Sequence, residues 1–235
     1  MMEIDYISCG DCLKLMKDIP DESIDLIVTD PPYKVTSRGN AGTMGGMVTK
    51  EINLKGKVFK FNDIHCSEYA SEFYRVLKDK SHCYIMTNHI NLYDMLTEFT
   101  KARFHFTKSL IWDKGNKICC PYYMSQFEYI LFFRKGKSKK INDCGTSDIL
   151  SVPNKKLKDK NNKNLHDTEK PIKLMQILIE NSSNKENIIL DPFMGIGSVP
   201  IACINTNRHY IGFELDEQYF DIACQRLDEV EGETE

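Results

Sequence analysis

The chain has 235 residues, 41% of them hydrophobic and 28% charged, with a formal net charge of −3. That is enough apolar material for the core of one domain, and too balanced a charge for a disordered tail or a globally basic nucleic-acid binder. No apolar run reaches the roughly 18 residues of a membrane span, no secretory signal is visible, and the nine Cys form an odd, scattered set; reduced thiols in a cytoplasmic protein are the expectation.

In chain order, Ile24 to Thr29 reads as a buried strand running into Asp30. Residues 34–62 carry five Gly with several Thr and Lys and no clear period. A loop of that length is usually functional, so it reads as a mobile substrate loop. Cys66 to Lys78 reads as an amphipathic helix with Tyr69, Phe73, Val76 and Leu77 on one face. A strand follows at His82 to Met86, a helix at Ile90 to Lys101, and strands at Phe104 to Trp112 and Phe127 to Phe133. Residues 134–165 are Lys- and Asn-rich and form a short insert.

Lys170-Pro171 opens a helix through about Glu180, with Pro tolerated in the first turn. Ile188 to Leu190 is a short buried strand, Ser198 to Ile204 a helix, and His209 to Phe213 a strand. Asp216 to about Leu227 is the last helix, with Asp216 as its N-cap. Strands alternating with helices indicate a single α/β domain over residues 1–235, built on a largely parallel sheet.

Charge is unevenly distributed. Lys34 to Lys60 holds six Lys/Arg against one Glu, and Arg134 to Lys163 holds ten against three Asp. Such segments suit phosphate contacts, although solvated lysine-rich loops look the same in sequence. Cys9-Gly10-Asp11-Cys12 has C-x-x-C spacing, but no second pair completes a zinc site and the layout is not that of a redox helix; no metal is expected.

Asp191-Pro192-Phe193-Met194-Gly195-Ile196-Gly197-Ser198 lies between a strand and a helix, the context of a nucleotide-binding turn. Gly195 and Gly197 permit a sharp turn and close approach of a ligand. Ser198 is placed to cap the following helix, whose N-terminus favours an anionic group. Glu214 follows Gly197 by seventeen residues, at the end of the next strand, where an acid can accept hydrogen bonds from both ribose hydroxyls. The turn alone does not separate a nicotinamide dinucleotide from S-adenosylmethionine.

Asp30-Pro31-Pro32-Tyr33 stands at the C-terminal end of a strand, the edge where open α/β sheets bind ligands. The prolines fix the backbone and remove two N–H donors. What remains is the Asp30 carboxylate, nearby carbonyls and the Tyr33 ring. Methylation of an exocyclic base amine needs this set. The lone pair of such an amine is delocalised into the ring, so the nitrogen is a poor nucleophile. Asp30 and the Pro31 carbonyl can bind its two hydrogens and favour a tetrahedral nitrogen, and a fixed carboxylate stabilises the charge that then develops. Tyr33 can stack on a base flipped out of the duplex.

Together, and in this order, the two motifs resemble the β-group of DNA amino-methyltransferases, in which the catalytic segment precedes the cofactor turn. The resemblance covers most of the chain. Gly10-Asp11-Cys12 with Pro20 to Ile27 is similar to the N-terminal segment of that family, whose Asp lies near the cofactor adenine; Asp11 and Cys12 are carried as cofactor-binding on that basis. Phe127-Glu128-Tyr129-Ile130-Leu131 is similar to a strand near the target base. His166 to Pro171 looks like the motif before the cofactor helix, which makes Lys170 a cofactor residue. Asp191, Phe193, Gly195, Gly197, Ser198 and Glu214 match the cofactor turn and ribose acid, and Asp30 faces both cofactor and base. Lys34 departs from the Asn common after Tyr33.

The resemblance implies a Rossmann-like, mostly parallel sheet of seven strands with one reversed and helices on both faces. It implies S-adenosylmethionine as cofactor and site-specific methylation of adenine N6 in double-stranded DNA, the Asp of Asp30-Pro31-Pro32-Tyr33 leaning to adenine over cytosine N4. Residues 134–165 become the candidate target-recognition insert. So small a recognition region leaves much DNA uncovered, which is compatible with a homodimer, and a cognate restriction endonuclease fits the family. Cytosine C5 chemistry needs a Cys nucleophile in a Pro-Cys pair, and here the order is Cys120-Pro121. A non-enzymatic DNA-binding subunit would be expected to lose Asp30 or the glycines. A nicotinamide oxidoreductase explains Gly195, Gly197 and Glu214 but not Asp30 to Tyr33.

Overall fold

A computed structural model describes residues 2–32, 64–118, 123–154 and 169–232. The 34–62 loop, Tyr33, Cys120-Pro121, residues 155–165 and His166 lie outside the described residues.

Strand β2 (Ile24–Thr29) is apolar on both sides because it runs through the middle of the sheet. It lies between β7 (Ile188–Asp191) and β3 (Leu77–Thr87), parallel to both. On one side β7 is followed by β8 (His209–Glu214) and β1 (Tyr6–Cys9), and on the other β3 is followed by β5 (Ser125–Arg134), β4 (His105–Ile118) and β6 (Ile149–Ser151). Strand β5 is antiparallel to both its neighbours, and every other pairing is parallel. The sheet therefore has the expected single reversed strand. It has eight strands rather than seven, because three residues of the 134–165 insert add β6 to its edge.

Successive residues of each central strand point to opposite faces and feed two cores. Ile27, Ile85, Leu190 and Ile211 pack with Met16 after α1 (Cys12–Leu15), with Tyr69 and Phe73 of α2 (Cys66–Val76) and with Phe99 of α3 (Leu92–Lys101). Leu26, Val28, Tyr84 and Ile189 pack with Leu174 and Leu178 of α4 (Ile172–Ser182), Val199 of α5 (Ser198–Ile204) and Leu227 of α6 (Glu217–Gly232). Helices thus cover both faces. No helix of the described residues is long and apolar enough to cross a membrane.

Element boundaries differ from expectation for local reasons. Helix α2 stops at Val76 because Leu77 is already extended and enters β3, which is longer than the expected strand. Helix α3 starts at Leu92 because the Asn88 side chain takes the N–H groups of Ile90 and Asn91 in a turn. Asp216 behaves as expected of an N-cap: its carboxylate accepts from the Gln218 N–H at 2.9 Å.

Candidate active site

The chain runs outward from β2 to β3 on one side and from β7 to β8 on the other, so the sheet changes winding direction between β2 and β7. A crevice opens at such a switch point, at the carboxyl ends of the strands. Asp30 directly follows β2, Asp191 ends β7 and Glu214 ends β8. The Thr29 hydroxyl ties the two sides together by donating to Asp191 Oδ1 at 2.7 Å. Sequence reading did not single out Thr29.

On the β7–β8 side the glycine turn folds back over the strand ends. Gly195 and Gly197 have φ of 56° and 83°. An L side chain is strained there, and a Cβ on Gly197 would also touch Ala223 of α6 at 3.4 Å. Gly197 is itself the N-cap of α5, without a side-chain cap; Ser198 is the first helical residue and does not cap the helix as expected. The left-handed φ that ends the turn belongs to the residue before Ser198, and this fixes which residue is the cap.

Glu214 accepts from the Gly195 N–H at 2.9 Å through Oε2 and from the Asp216 N–H at 2.8 Å through Oε1. The two amides orient the carboxylate and leave lone pairs for a ligand. Burial raises its pKa against those two N–H groups. Burial likewise pushes the Asp191 carboxyl up to about 7, although the Thr29 hydroxyl and the Phe193 N–H favour its charged form. Phe193 packs edge-on against Tyr69, with centroids 5.2 Å apart.

Asp11 follows β1 and caps α1, accepting from the Leu13 N–H at 2.9 Å. The neighbouring Gly10 N–H bonds the Glu214 carbonyl at 2.8 Å, which brings Asp11 and Cys12 to the same edge as the ribose acid. Cys12 is buried, and burial pushes its thiol up to about 12, so it is not a thiolate at neutral pH. No group of three His, Cys, Asp or Glu among the described residues is placed to hold a metal.

On the β2 side Pro31 is buried and Pro32 partly buried. Asp30 Oδ2 is ion-paired with Lys170, which enters from the segment before α4. Asp30 Oδ1 is buried and has no hydrogen-bond partner among the described residues. Burial raises the Asp30 pKa, Lys170 opposes it and Glu128 adds to it. Lys170, carried from sequence as a cofactor residue, is thus placed on the Asp30 carboxylate.

Glu128 and Lys114 are site residues that sequence reading missed. They sit on β5 and β4 and form an ion pair beside Lys170. Glu128 had a signal, as the one acid in the apolar run Phe127 to Phe133; Lys114 had none. Past Thr87, the last residue of β3, strands β4 and β5 run on together, flanked by β6 as far as Asp113; Phe127 of β5 is exposed, as are Tyr123 and Met124 just before that strand.

The described part of the 134–165 insert, residues 134–154, begins away from Asp30: Arg134 pairs with His82, five residues before Thr87 ends β3. From there Lys139 accepts from His82, and the Asn142 side chain donates to the Glu180 and Ser183 carbonyls at the end of α4. The chain then returns along β4 as β6, where the Val152 carbonyl accepts from the Trp112 indole at 2.8 Å.

Arg226 of α6 joins the two halves of the site. It donates to the Ile196 carbonyl in the glycine turn at 2.5 Å and pairs with Glu169, next to Lys170, at 3.0 Å. Both side chains are less than a tenth exposed.

Comparison with known proteins agrees with this geometry. The DNA methylase family of N6/N4 methyltransferases matches residues 24–225. The Type II methyltransferase M.HinfI of Haemophilus influenzae is 28% identical, over 94% of this chain and 67% of its own length. The Type II methyltransferase M2.MboI of Moraxella bovis is 29% identical, over 94% and 86%. Among solved structures, the M1.HpyAVI–SAM complex superposes with a TM-score of 0.70 at 23% identity, covering 94% of this chain and 98% of that one. The cytosine-N4-specific PvuII DNA methyltransferase gives 0.74 at 16% identity, covering 95% and 86%. At such identities the superpositions speak for the fold, whereas the family match spans most of the sequence: the chain belongs to the N6/N4 DNA methylases and is a DNA methyltransferase.

Proposed function

We propose that this DNA methyltransferase transfers the methyl group of S-adenosylmethionine to N6 of an adenine flipped out of duplex DNA, with Asp30 as the catalytic carboxylate. The observation that carries this reading is the buried, unpartnered Asp30 Oδ1 at the switch-point edge. A buried acceptor without a donor is costly, and a substrate N–H satisfies it.

The residues across the crevice fit the cofactor. Glu214 has lone pairs for two ribose hydroxyls and is already oriented by two amides. Gly195 and Gly197 remove side chains where a ligand approaches the turn. Phe193, Asp11, Cys12 and Asp191 complete that side. When bound, S-adenosylmethionine supplies an electrophilic methyl on a sulfonium.

Asp30 Oδ1 accepts one N–H of the target amine and the Pro31 carbonyl accepts the other. Drawing both hydrogens toward acceptors turns the nitrogen lone pair out of conjugation and toward the methyl. As the new C–N bond forms, the nitrogen becomes positive and the Asp30 charge stabilises it. The extra proton then leaves to Asp30 or to solvent. Tyr33, outside the described residues, stacks on the flipped base. The choice of adenine rests on Asp as the first residue of the Asp30 to Tyr33 segment.

The test is incubation of the purified chain with duplex DNA and methyl-labelled S-adenosylmethionine, followed by digestion to nucleosides. Label in N6-methyladenine is the expected result. Label in N4-methylcytosine would replace the base assignment and keep the mechanism; no transfer to DNA would overturn the reading.

A further inference from the structure

Four charged side chains meet behind the catalytic edge. Lys114 from β4 bonds Glu128 Oε1 from β5. Lys170 is ion-paired with Asp30 Oδ2 and lies 3.7 Å from Glu128 Oε2. The Lys114, Glu128 and Lys170 side chains are 14%, 19% and 8% exposed, so water screens them little. Their formal charges cancel with that of Asp30. Two carboxylate oxygens in the group are buried without a hydrogen-bond partner among the described residues: Asp30 Oδ1 and Glu128 Oε2.

This arrangement answers a conflict in the chemistry. Asp30 must be ionised to accept an N–H and to stabilise a developing cation. Burial works against that ionisation, and Lys170 favours it. A Lys170 wholly committed to Asp30, however, would neutralise the carboxylate and oppose positive charge on the amine beside it. A second carboxylate on the far side of Lys170 resolves the conflict by sharing the ammonium. Glu128 is suited to this role: burial acts upward on its carboxyl, but Lys170 and Lys114 outweigh burial and hold it below its ordinary value. Lys114 also fixes its position through Oε1.

We propose that Glu128, anchored by Lys114, is a positioning residue for methyl transfer: it holds Lys170 between two carboxylates, so that Lys170 does not neutralise Asp30 and Oδ1 stays open to the amine. Lys170 then serves the catalytic carboxylate. The proposal rests on the reading of Asp30 as the amine acceptor, and the test separates the two. Glu128 touches neither substrate nor cofactor in this account; it acts through Lys170.

The measurement is the single-turnover rate of methyl transfer as a function of pH, at saturating DNA and S-adenosylmethionine, with cofactor affinity titrated separately. Besides Lys170, Glu128 and Lys114, the groups among the described residues that act on Asp30 are Asp191 and the Tyr69 phenol, and these are unchanged throughout. In Glu128→Gln, Lys170 commits to Asp30. The plateau rate is expected to fall roughly 10- to 100-fold, the acid limb to move to lower pH, and cofactor affinity to stay near wild type. In Lys170→Met, Asp30 keeps burial and Glu128 but loses its cation, so the acid limb moves to higher pH. Lys114→Met also moves it up, because Glu128 then draws Lys170 further from Asp30; this variant keeps the test open if a substitution at Glu128 does not fold. A structural role alone would not move the limb in opposite directions. A wild-type plateau in Glu128→Gln, or limbs that move the same way in Glu128→Gln and Lys170→Met, would overturn the proposal while inactive Asp30→Ala leaves the reading of Asp30 standing. Wild-type turnover in Asp30→Ala would remove both.

Discussion

Replacing Asp30 by Ala is expected to lower the single-turnover rate of methyl transfer by roughly 10³-fold, with S-adenosylmethionine affinity little changed. The substitution removes both a hydrogen-bond acceptor for the amine and the charge that stabilises it at the moment of transfer. Both effects act in the transition state, so the loss falls on the rate constant more than on binding. The fold should tolerate the change. Lys170 keeps a carboxylate neighbour in Glu128, 3.7 Å away, and Thr29 keeps β2 tied to Asp191. Rapid-quench measurement at saturating DNA and cofactor is the check, and near-wild-type turnover would remove Asp30 from the mechanism.

The second large effect is on stability. Arg226→Met is expected to destabilise the protein by about 3–5 kcal/mol, because it strips a buried Glu169 of its cation and the Ile196 carbonyl of its donor. In a domain of this size that corresponds to a fall in Tm on the order of 10 °C. The loss should be partly recovered by adding Glu169→Gln, since the buried charge that Arg226 faced is then gone. Thermal unfolding of the single and double variants tests this; an unchanged Tm in Arg226→Met would show that Arg226 does not carry the join between the glycine turn and the segment leading to Lys170.

The fold was legible where the sequence is locally decisive. Ile24 to Thr29 is apolar at every position but Asp25 and the terminal Thr29, a run that suits a strand covered on both faces, and the structure places it in the middle of the sheet. The spacing from Gly197 to Glu214 is set by one helix and one strand, so the turn and its acid were found together. Two short strands were less visible. Tyr6–Cys9 and Ile149–Ser151 are four and three residues long, and each is held by pairing at the edge of the sheet rather than by its own pattern. The helix cap at Gly197 was assigned one residue late because Ser is the commoner capping residue, whereas the turn here needs a left-handed φ.

The site was legible as motifs and not as a network. Lys170 and Asp30 are separated by 140 positions in sequence, and nothing local predicts that their side chains meet. Lys114 and Glu128 face each other only because β4 and β5 pair in a particular register, with a shift between Asp113 and Ile118. Arg226 reads in sequence as the one basic residue of an acidic helix, with nothing local to say what it pairs with; its role comes from pointing inward beside Ala223 and Leu227, on the face that meets the glycine turn. Such interactions are set by tertiary packing, which is why the sequence shows the residues of the chemistry more readily than the residues that hold them in place.

The central claim is that this edge of the sheet methylates adenine in duplex DNA through Asp30. Base-resolved methylation mapping of DNA from a methylation-free host expressing the chain tests it most directly. The account predicts N6-methyladenine recurring at one short sequence, absent when Asp30→Ala is expressed instead. N4-methylcytosine in its place, or N6-methyladenine that persists in the Asp30→Ala strain, would contradict it.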